Sequence, residues 1–214
     1  MMKVALINGS PKSEKSISEF LLSQLETKLH GEILHYSIIK EYRNDTVIFD
    51  KLLRCDSIVF AFPVYVDSIP AHGLQFLVDF CEYIKKNQTK SNSVVYAINN
   101  NGFYEGFRNK ISIDIMRNWC KRAELTWGQG VGTGAGEMLG VLRSVPLGYG
   151  PNANLGKLMN EFSENIMKKN TAPDRYISPN FPKFGFHFCA MCLWMYKADK
   201  NKCSKFKIFK RVDS

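Results

Sequence analysis

Short apolar runs rich in β-branched residues alternate with apolar residues at helical spacing along most of this chain, and that rhythm leaves few folds open. Residues 3–8 read as a strand closed by Gly9-Ser10-Pro11, after which Phe20, Leu21, Leu22, Leu25 and Leu29 recur at helical period until Gly31. The same pattern predicts strands over 33–38, 57–62, 93–99 and 125–131, and helices over 47–53, 71–85, 107–123 and 153–169. Strands that are apolar on both faces need cover on both faces, which a parallel sheet wrapped by crossover helices provides. The expected architecture is an α/β three-layer sandwich around a five-stranded parallel sheet in the order 2-1-3-4-5. In that order the connections leaving strands 1 and 3 diverge, opening a crevice at their carboxyl ends where ligands bind.

With 214 residues, 45% of them apolar, the chain can bury a core without help from cross-links. The stretch 184–196 is the longest uncharged apolar run and is too short to span a bilayer. The first residues, Met-Met-Lys-Val-Ala-Leu-Ile, lack the apolar length of a signal peptide, so a cytoplasmic location with reduced thiols on all six cysteines is expected. The formal charge is +9, and residues 197–214 hold seven Lys/Arg against two Asp, or +5 of it. Residues 171–214, with Pro173, Pro179 and Pro182, then the apolar run, then the basic end, read as a C-terminal appendage packed on a domain formed by 1–170.

Three loops fall at the carboxyl edge of the sheet, spanning 9–18, 63–70 and 99–106. In the first, the hydroxyls of Ser10, Ser13, Ser16 and Ser18 join the free N–H groups at a helix start, where the dipole favours an anion. The spacing is neither a Walker A loop nor a dinucleotide turn, so a terminal monophosphate suits it. An ordinary serine-rich loop with Ser16 or Ser18 as N-cap stands equally open. In the second, Phe62-Pro63-Val64-Tyr65-Val66-Asp67-Ser68-Ile69-Pro70, Tyr65 can pack on a flat ring while peptide groups bond its edge; closing the core top or a subunit contact is the plainer role. In the third, Asn99-Asn100-Asn101-Gly102-Phe103-Tyr104-Glu105-Gly106, glycine permits close backbone approach to a ligand, although Asn and Gly also form simple turns.

Taken together, the strand ending in Gly-Ser-Pro-Lys, the Phe-Pro-Val-Tyr-Val-Asp-Ser-Ile-Pro loop and the Asn-Asn-Asn-Gly-Phe-Tyr-Glu-Gly loop resemble the flavodoxin-like NAD(P)H-dependent FMN reductase family over residues 1–170. The resemblance implies phosphate contacts from Ser10, Lys12, Ser16, Ile17 and Ser18, and ring contacts from Pro63, Val64, Tyr65, Asn99, Asn101, Gly102 and Phe103. It implies hydride transfer from NADH or NADPH through FMN to a small-molecule acceptor such as a quinone, nitroaromatic or free flavin, with no catalytic side chain needed, and a homodimer. The family often carries Asn or Thr near Ile17, which here offers only its backbone N–H, so weaker FMN retention is implied.

Other patterns point less firmly. Gly130-Val-Gly132-Thr-Gly134-Ala135 formally fits Gly-x-Gly-x-x-Ala, but it follows the fifth strand and has no acidic residue about 20 positions on, so it reads as a flexible glycine loop at the sheet edge. His187, Cys189, Cys192 and Cys203 match no standard metal framework, and the cysteines read as small core residues with no metal. The basic end carries no nucleic-acid motif and reads as a solvated face over a docked tail. A flavodoxin-type electron carrier would share the crevice, yet +9 is the wrong sign for a partner surface of that kind. A flavin-free scaffold binding an anionic partner is the third alternative.

Overall fold

The computed structural model describes residues 1–12, 14–42 and 46–203, so Ser13 and the basic end 204–214 lie outside the described residues. The chain divides into two compact units, Met1–Pro179 and Asn180–Ser214. In the first, chain order gives β1 (Lys3–Asn8), α1 (Ile17–Glu26), β2 (Glu32–Ser37), α2 (Ile38–Glu41), α3 (Val47–Leu53), β3 (Ser57–Pro63) and α4 (Ala71–Asn87). There follow β4 (Val94–Asn100), α5 (Lys110–Arg122), β5 (Thr126–Thr133), α6 (Gly136–Val141), α7 (Ala153–Lys168) and β6 (Arg175–Ile177). The second unit contains α8 (Lys183–Lys200).

The sheet is parallel throughout in the order β2-β1-β3-β4-β5-β6. Alternation along the strands builds two cores. Ala5, Ile7, Phe60 and Phe62 face Phe49, Phe76, Phe80, Met116 and Trp119 from α3, α4 and α5. Val4, Leu6, Val59, Ala61 and Ile98 face Leu21, Leu22 and Leu25 of α1 and Leu158, Met159 and Phe162 of α7. Both layers are fully buried against the sheet, which explains why its strands read as continuous apolar runs.

The sheet has six strands where the sequence predicts five. The extra strand, β6, pairs with Val131, Gly132 and Thr133 and falls within the stretch read as an appendage. It is three residues long and carries no apolar signature; Asp174, just before it, docks it by accepting from the Gly130 N–H at 2.8 Å and the Trp127 indole N–H at 3.2 Å and by pairing with Arg117. The glycine run in β5 serves that docking. It is not a flexible loop: residues 126–133 form a strand, and a Cβ on Gly132 would lie 2.7 Å from the Tyr176 ring of β6 and 2.8 Å from Asn109. Close packing accounts for these glycines.

The cysteines split in two. Cys55, Cys81 and Cys120 are buried in the first unit, whereas Cys189, Cys192 and Cys203 are exposed, contrary to their reading as core residues, because α8 buries none of its side chains. All six are free thiols. Among the described residues no group of three or more His, Cys, Asp or Glu is placed to hold a metal ion.

Candidate functional site

The carboxyl ends of β1, β3, β4 and β5 bring the three loops to one edge of the sheet, and hydrogen bonds between them fix their spacing. Gly9 N–H donates to the Ala61 carbonyl at 2.9 Å, prolonging the β1–β3 pairing into the first loop, and Val64 N–H donates to the Asn100 carbonyl at 2.8 Å, tying the second loop to the third. Asn101 N–H donates to the Thr133 carbonyl at 3.1 Å, anchoring the third to the end of β5.

In the first loop three serines are buried: Ser10, Ser16 and Ser18. Each hydroxyl oxygen already accepts a hydrogen bond from the protein. Ser10 Oγ accepts from Lys12 N–H at 3.2 Å, Ser16 Oγ caps α1 by accepting from Glu19 N–H at 3.0 Å, and Ser18 Oγ accepts from Asn100 Nδ2 at 3.2 Å. Among the described residues no protein acceptor takes the hydroxyl protons of these three side chains. A serine hydroxyl whose oxygen is occupied by donors keeps one proton to give, so the loop presents donors to whatever anion lies at the start of α1. The Ile17 and Ser18 N–H groups, in the first turn, have no intrahelical carbonyl to reach and add to them.

Arg143, from the segment after α6, was not anticipated. Its Nη2 donates to the Lys15 carbonyl at 2.5 Å and the Ser16 carbonyl at 3.2 Å, with the guanidinium lying 5.5 Å from the centre of the Phe20 ring. Only a pair of residues 128 apart in sequence makes the first of these contacts, so no local pattern could have marked it. Lys12, by contrast, stands exposed at the loop rim.

The second loop turns in two residues. Tyr65 and Ser68 exchange backbone bonds at 2.9 and 3.1 Å across Val66 and Asp67, which sit at φ 48° and 62°. A β-branched residue in that region is strained by about 1–2 kcal/mol, and Val66 is nevertheless there, almost wholly exposed. The turn holds Tyr65 half in solvent above Pro63 and Val64. Phe103 of the third loop is also exposed, with the Arg108 guanidinium 4.9 Å from its ring centre. A Cβ built on Gly102 would meet nothing within 4 Å, so the backbone there is open to close approach.

The amide side chains distribute differently from the expectation. Asn99 does not reach the crevice: it is fully buried, and its Nδ2 donates to Ser112 Oγ on α5 at 2.8 Å. Strand alternation turns the next residue the other way, so Asn100 bridges Ser18 and the Phe62 carbonyl, both at 3.2 Å, and joins the first two loops. Asn101 braces its own loop, accepting from Phe103 N–H at 2.8 Å and donating to the Glu105 carbonyl at 3.2 Å. From the third loop this leaves Gly102 and Phe103 facing outward.

His72 lies in the first turn of α4. Burial pushes its imidazole below the ordinary 6.5, outweighing the opposite effect of a bond to the Gly9 backbone, and its Nε2 is buried without a partner among the described residues. Two cavities, of about 860 Å³ beside Tyr42, Asp79 and Tyr83 and about 340 Å³ beside Asn8, Glu19 and His35, are lined by no residue of the second or third loop.

The chain has the flavodoxin-like fold. It superposes on an NADH:FMN oxidoreductase, EMOB, in its apo form with a TM-score of 0.60 at 12% identity, covering 80% of this chain and 91% of that one. A flavodoxin, WrbA-like protein from Agrobacterium tumefaciens gives 0.54 at 11% identity over 79% and 97% of the two chains. An NADPH-quinone reductase from P. pentosaceus gives 0.54 at 10% identity over 76% and 98%. No protein-family model matches the sequence, and no curated protein matches it either. At such identities the likeness speaks for architecture, and the function has to be argued from the site itself.

Proposed function

We propose that this protein binds FMN at the carboxyl edge of its sheet and acts as an NAD(P)H-dependent oxidoreductase. The observation that carries the reading is the set of three buried serine hydroxyls at the start of α1, each accepting from the protein and each with its proton left to donate. That donor set suits a phosphate monoester, which only accepts, and the exposed rings of Tyr65 and Phe103 stand on the other two loops at the same edge of the sheet. A molecule with a phosphate at one end and a flat ring at the other matches both features.

In this reading Ser10, Ser16 and Ser18, with the Ile17 and Ser18 N–H groups, hold the phosphate, and Lys12 adds charge at the rim. Pro63, Val64 and Tyr65 on one side, and Gly102 and Phe103 on the other, hold the ring and keep its plane fixed. Bound flavin supplies the capacity to take up and release hydride, so the chain's task is to orient the ring and leave one face accessible to nicotinamide and then to acceptor. A quinone, nitroaromatic or free flavin is the acceptor class we assign, and a homodimer is the assembly we expect, checked by gel filtration.

The test is retention of FMN by the purified chain, read as quenching of flavin fluorescence on titration, followed by oxidation of NADH or NADPH with added quinone. Ser16→Asp is the discriminating variant, because Asp is as good an N-cap as Ser and α1 keeps its cap while a carboxylate faces the dianion. Affinity is expected to fall at least about a hundredfold, the equivalent of roughly 3 kcal/mol of repulsion in a partly shielded site. FMN binding unchanged by Ser16→Asp would remove the cradle, and a chain that never retains FMN would remove the whole reading.

A further inference from the structure

The second unit holds a feature that the flavin site does not use. Helix α8 runs from Lys183 to Lys200 and buries none of its residues. Its residues 184–196 carry no Asp, Glu, Lys or Arg. Phe184, Phe188, Met191 and Met195 recur at spacings of four, three and four, which stacks them along one face, with Trp194 beside them. Phe184 is 80% exposed, Phe188 63%, Met191 45% and Trp194 60%. A contiguous aromatic stripe presented to water marks a surface built to be covered.

Length and charge identify the cover. Thirteen residues of helix extend about 20 Å, against roughly 30 Å of bilayer hydrocarbon, and no described helix is long and apolar enough to cross a membrane. The helix can lie along an interface. Immediately after the apolar run the sequence carries Lys197, Lys200 and Lys202, then Lys205, Lys207, Lys210 and Arg211, against only Asp199 and Asp213. A second copy laid on the stripe would set one +5 segment against another, whereas a surface of anionic lipid accepts the apolar face and the cations together. Trp and Tyr rings at the end of the run, Trp194 and Tyr196, suit the headgroup level.

We propose that α8 is a peripheral membrane anchor, with the Phe184–Phe188–Met191–Trp194 stripe inserted among acyl chains of an anionic phospholipid surface and the basic residues that follow it in sequence adding electrostatic attraction. The experiment uses the full chain and sedimentation with vesicles of phosphatidylcholine alone or mixed with phosphatidylglycerol. Binding to the mixed vesicles is expected, weaker by at least about tenfold on the neutral ones and falling as salt rises. Insertion is read as a blue shift of Trp194 emission, isolated by subtracting the Trp194→Phe protein. The double variant Phe188→Glu/Met191→Glu, at exposed positions that support no core, should lose vesicle binding while its circular dichroism and FMN titration match the parent. Equal affinity for neutral and anionic vesicles, undiminished binding by the double variant, or a stripe-dependent dimer that ignores lipid would each overturn the proposal. Because the wild-type comparison of two vesicle types needs no mutation and no flavin, its failure is separate from failure of the oxidoreductase reading.

Discussion

Adding one methyl group at Gly9 tests how the base of the crevice is built. Gly9 is buried where β1 gives way to the first loop, and a Cβ there would lie 2.0 Å from Cε1 and 2.2 Å from Cδ1 of Phe62. That ring is itself fully buried, stacked 5.9 Å from Phe60 at an 8° angle, and a Cβ on Gly73 of α4 would press the same edge at 2.5 Å. A rigid ring held on two sides cannot swing away as the tip of a lysine could. Gly9 does not occupy the left-handed region, so alanine meets no backbone strain and gains about 0.4–1 kcal/mol from the stiffer unfolded chain. Overpacking works against it by about 1–3 kcal/mol, and the clash, nearly two ångströms inside van der Waals contact, belongs at the upper end. We expect Gly9→Ala to lose about 2 kcal/mol in urea unfolding, and to weaken FMN binding because Ser10 is the next residue.

Phe62→Leu supplies the decisive cycle. The smaller side chain removes the edge that collides, so the double variant should be more stable than the sum of the single effects predicts by at least about 1 kcal/mol. If Gly9→Ala were as stable as the parent, or if the two changes added within about 0.5 kcal/mol, then the glycine would not be there to admit the Phe62 ring and the packing argument would fall.

Two further outcomes follow from the same packing. Because burial lowers the His72 pKa, the folded chain resists a proton that the unfolded chain takes up; its contribution to stability is complete above the ordinary 6.5 and is lost as pH falls toward the lower folded value. Urea midpoints measured from about pH 8 to about pH 5.5 should therefore fall more steeply for the parent than for His72→Gln, and parallel curves would refute the assignment. Asp174→Ala strands the Gly130 and Trp127 N–H groups inside the protein but leaves Arg117 partly in solvent, so the expected loss is about 2–3 kcal/mol, less than for a fully buried ion pair. Hydrogen exchange should quicken along β6 and at Gly130; a loss below about 0.5 kcal/mol would show that the carboxylate does not dock the strand.

How much of this could be read in advance depended on whether the signal was local. Helix α3 was read over the residues it occupies and the buried strands within a residue or two, because apolar periodicity there is set by which face meets the core. Strand β6 was invisible because Arg175, Tyr176 and Ile177 are too few to carry a periodic signal and become a strand through tertiary contacts, backbone pairing with β5 and the Asp174 carboxylate. Helix α6 escaped because its Gly-Glu-Met-Leu-Gly-Val has two glycines and follows Ala135 in the left-handed region, which reads as loop. In the site, the serines were legible from their clustering ahead of a helix. The run Asn99-Asn100-Asn101 was not, since three identical residues give no clue to which faces α5, which faces α1 and which braces the turn.

The missed Arg143 changes how the cradle is understood. In a trans peptide the carbonyl of one residue and the N–H of the next point in opposite directions. By holding the Lys15 and Ser16 carbonyls, Arg143 aims the Ser16 and Ile17 N–H groups away from itself, so an exposed cation acts on the loop through backbone orientation. This also gives Ile17 a sufficient role: its peptide is held in place, and a polar side chain at that position would duplicate a donor already present. The cradle is then made mainly of neutral dipoles, namely hydroxyls and peptide N–H groups, with Lys12 at the rim. The larger share of the positive charge, +5 within residues 197–214, follows the apolar run of α8 in sequence. A phosphate held by dipoles at short range is little affected by salt, whereas attraction between a basic segment and a charged surface fades over a Debye length. If both proposals hold, raising ionic strength should separate the two proposed anion sites, releasing vesicles while FMN stays bound.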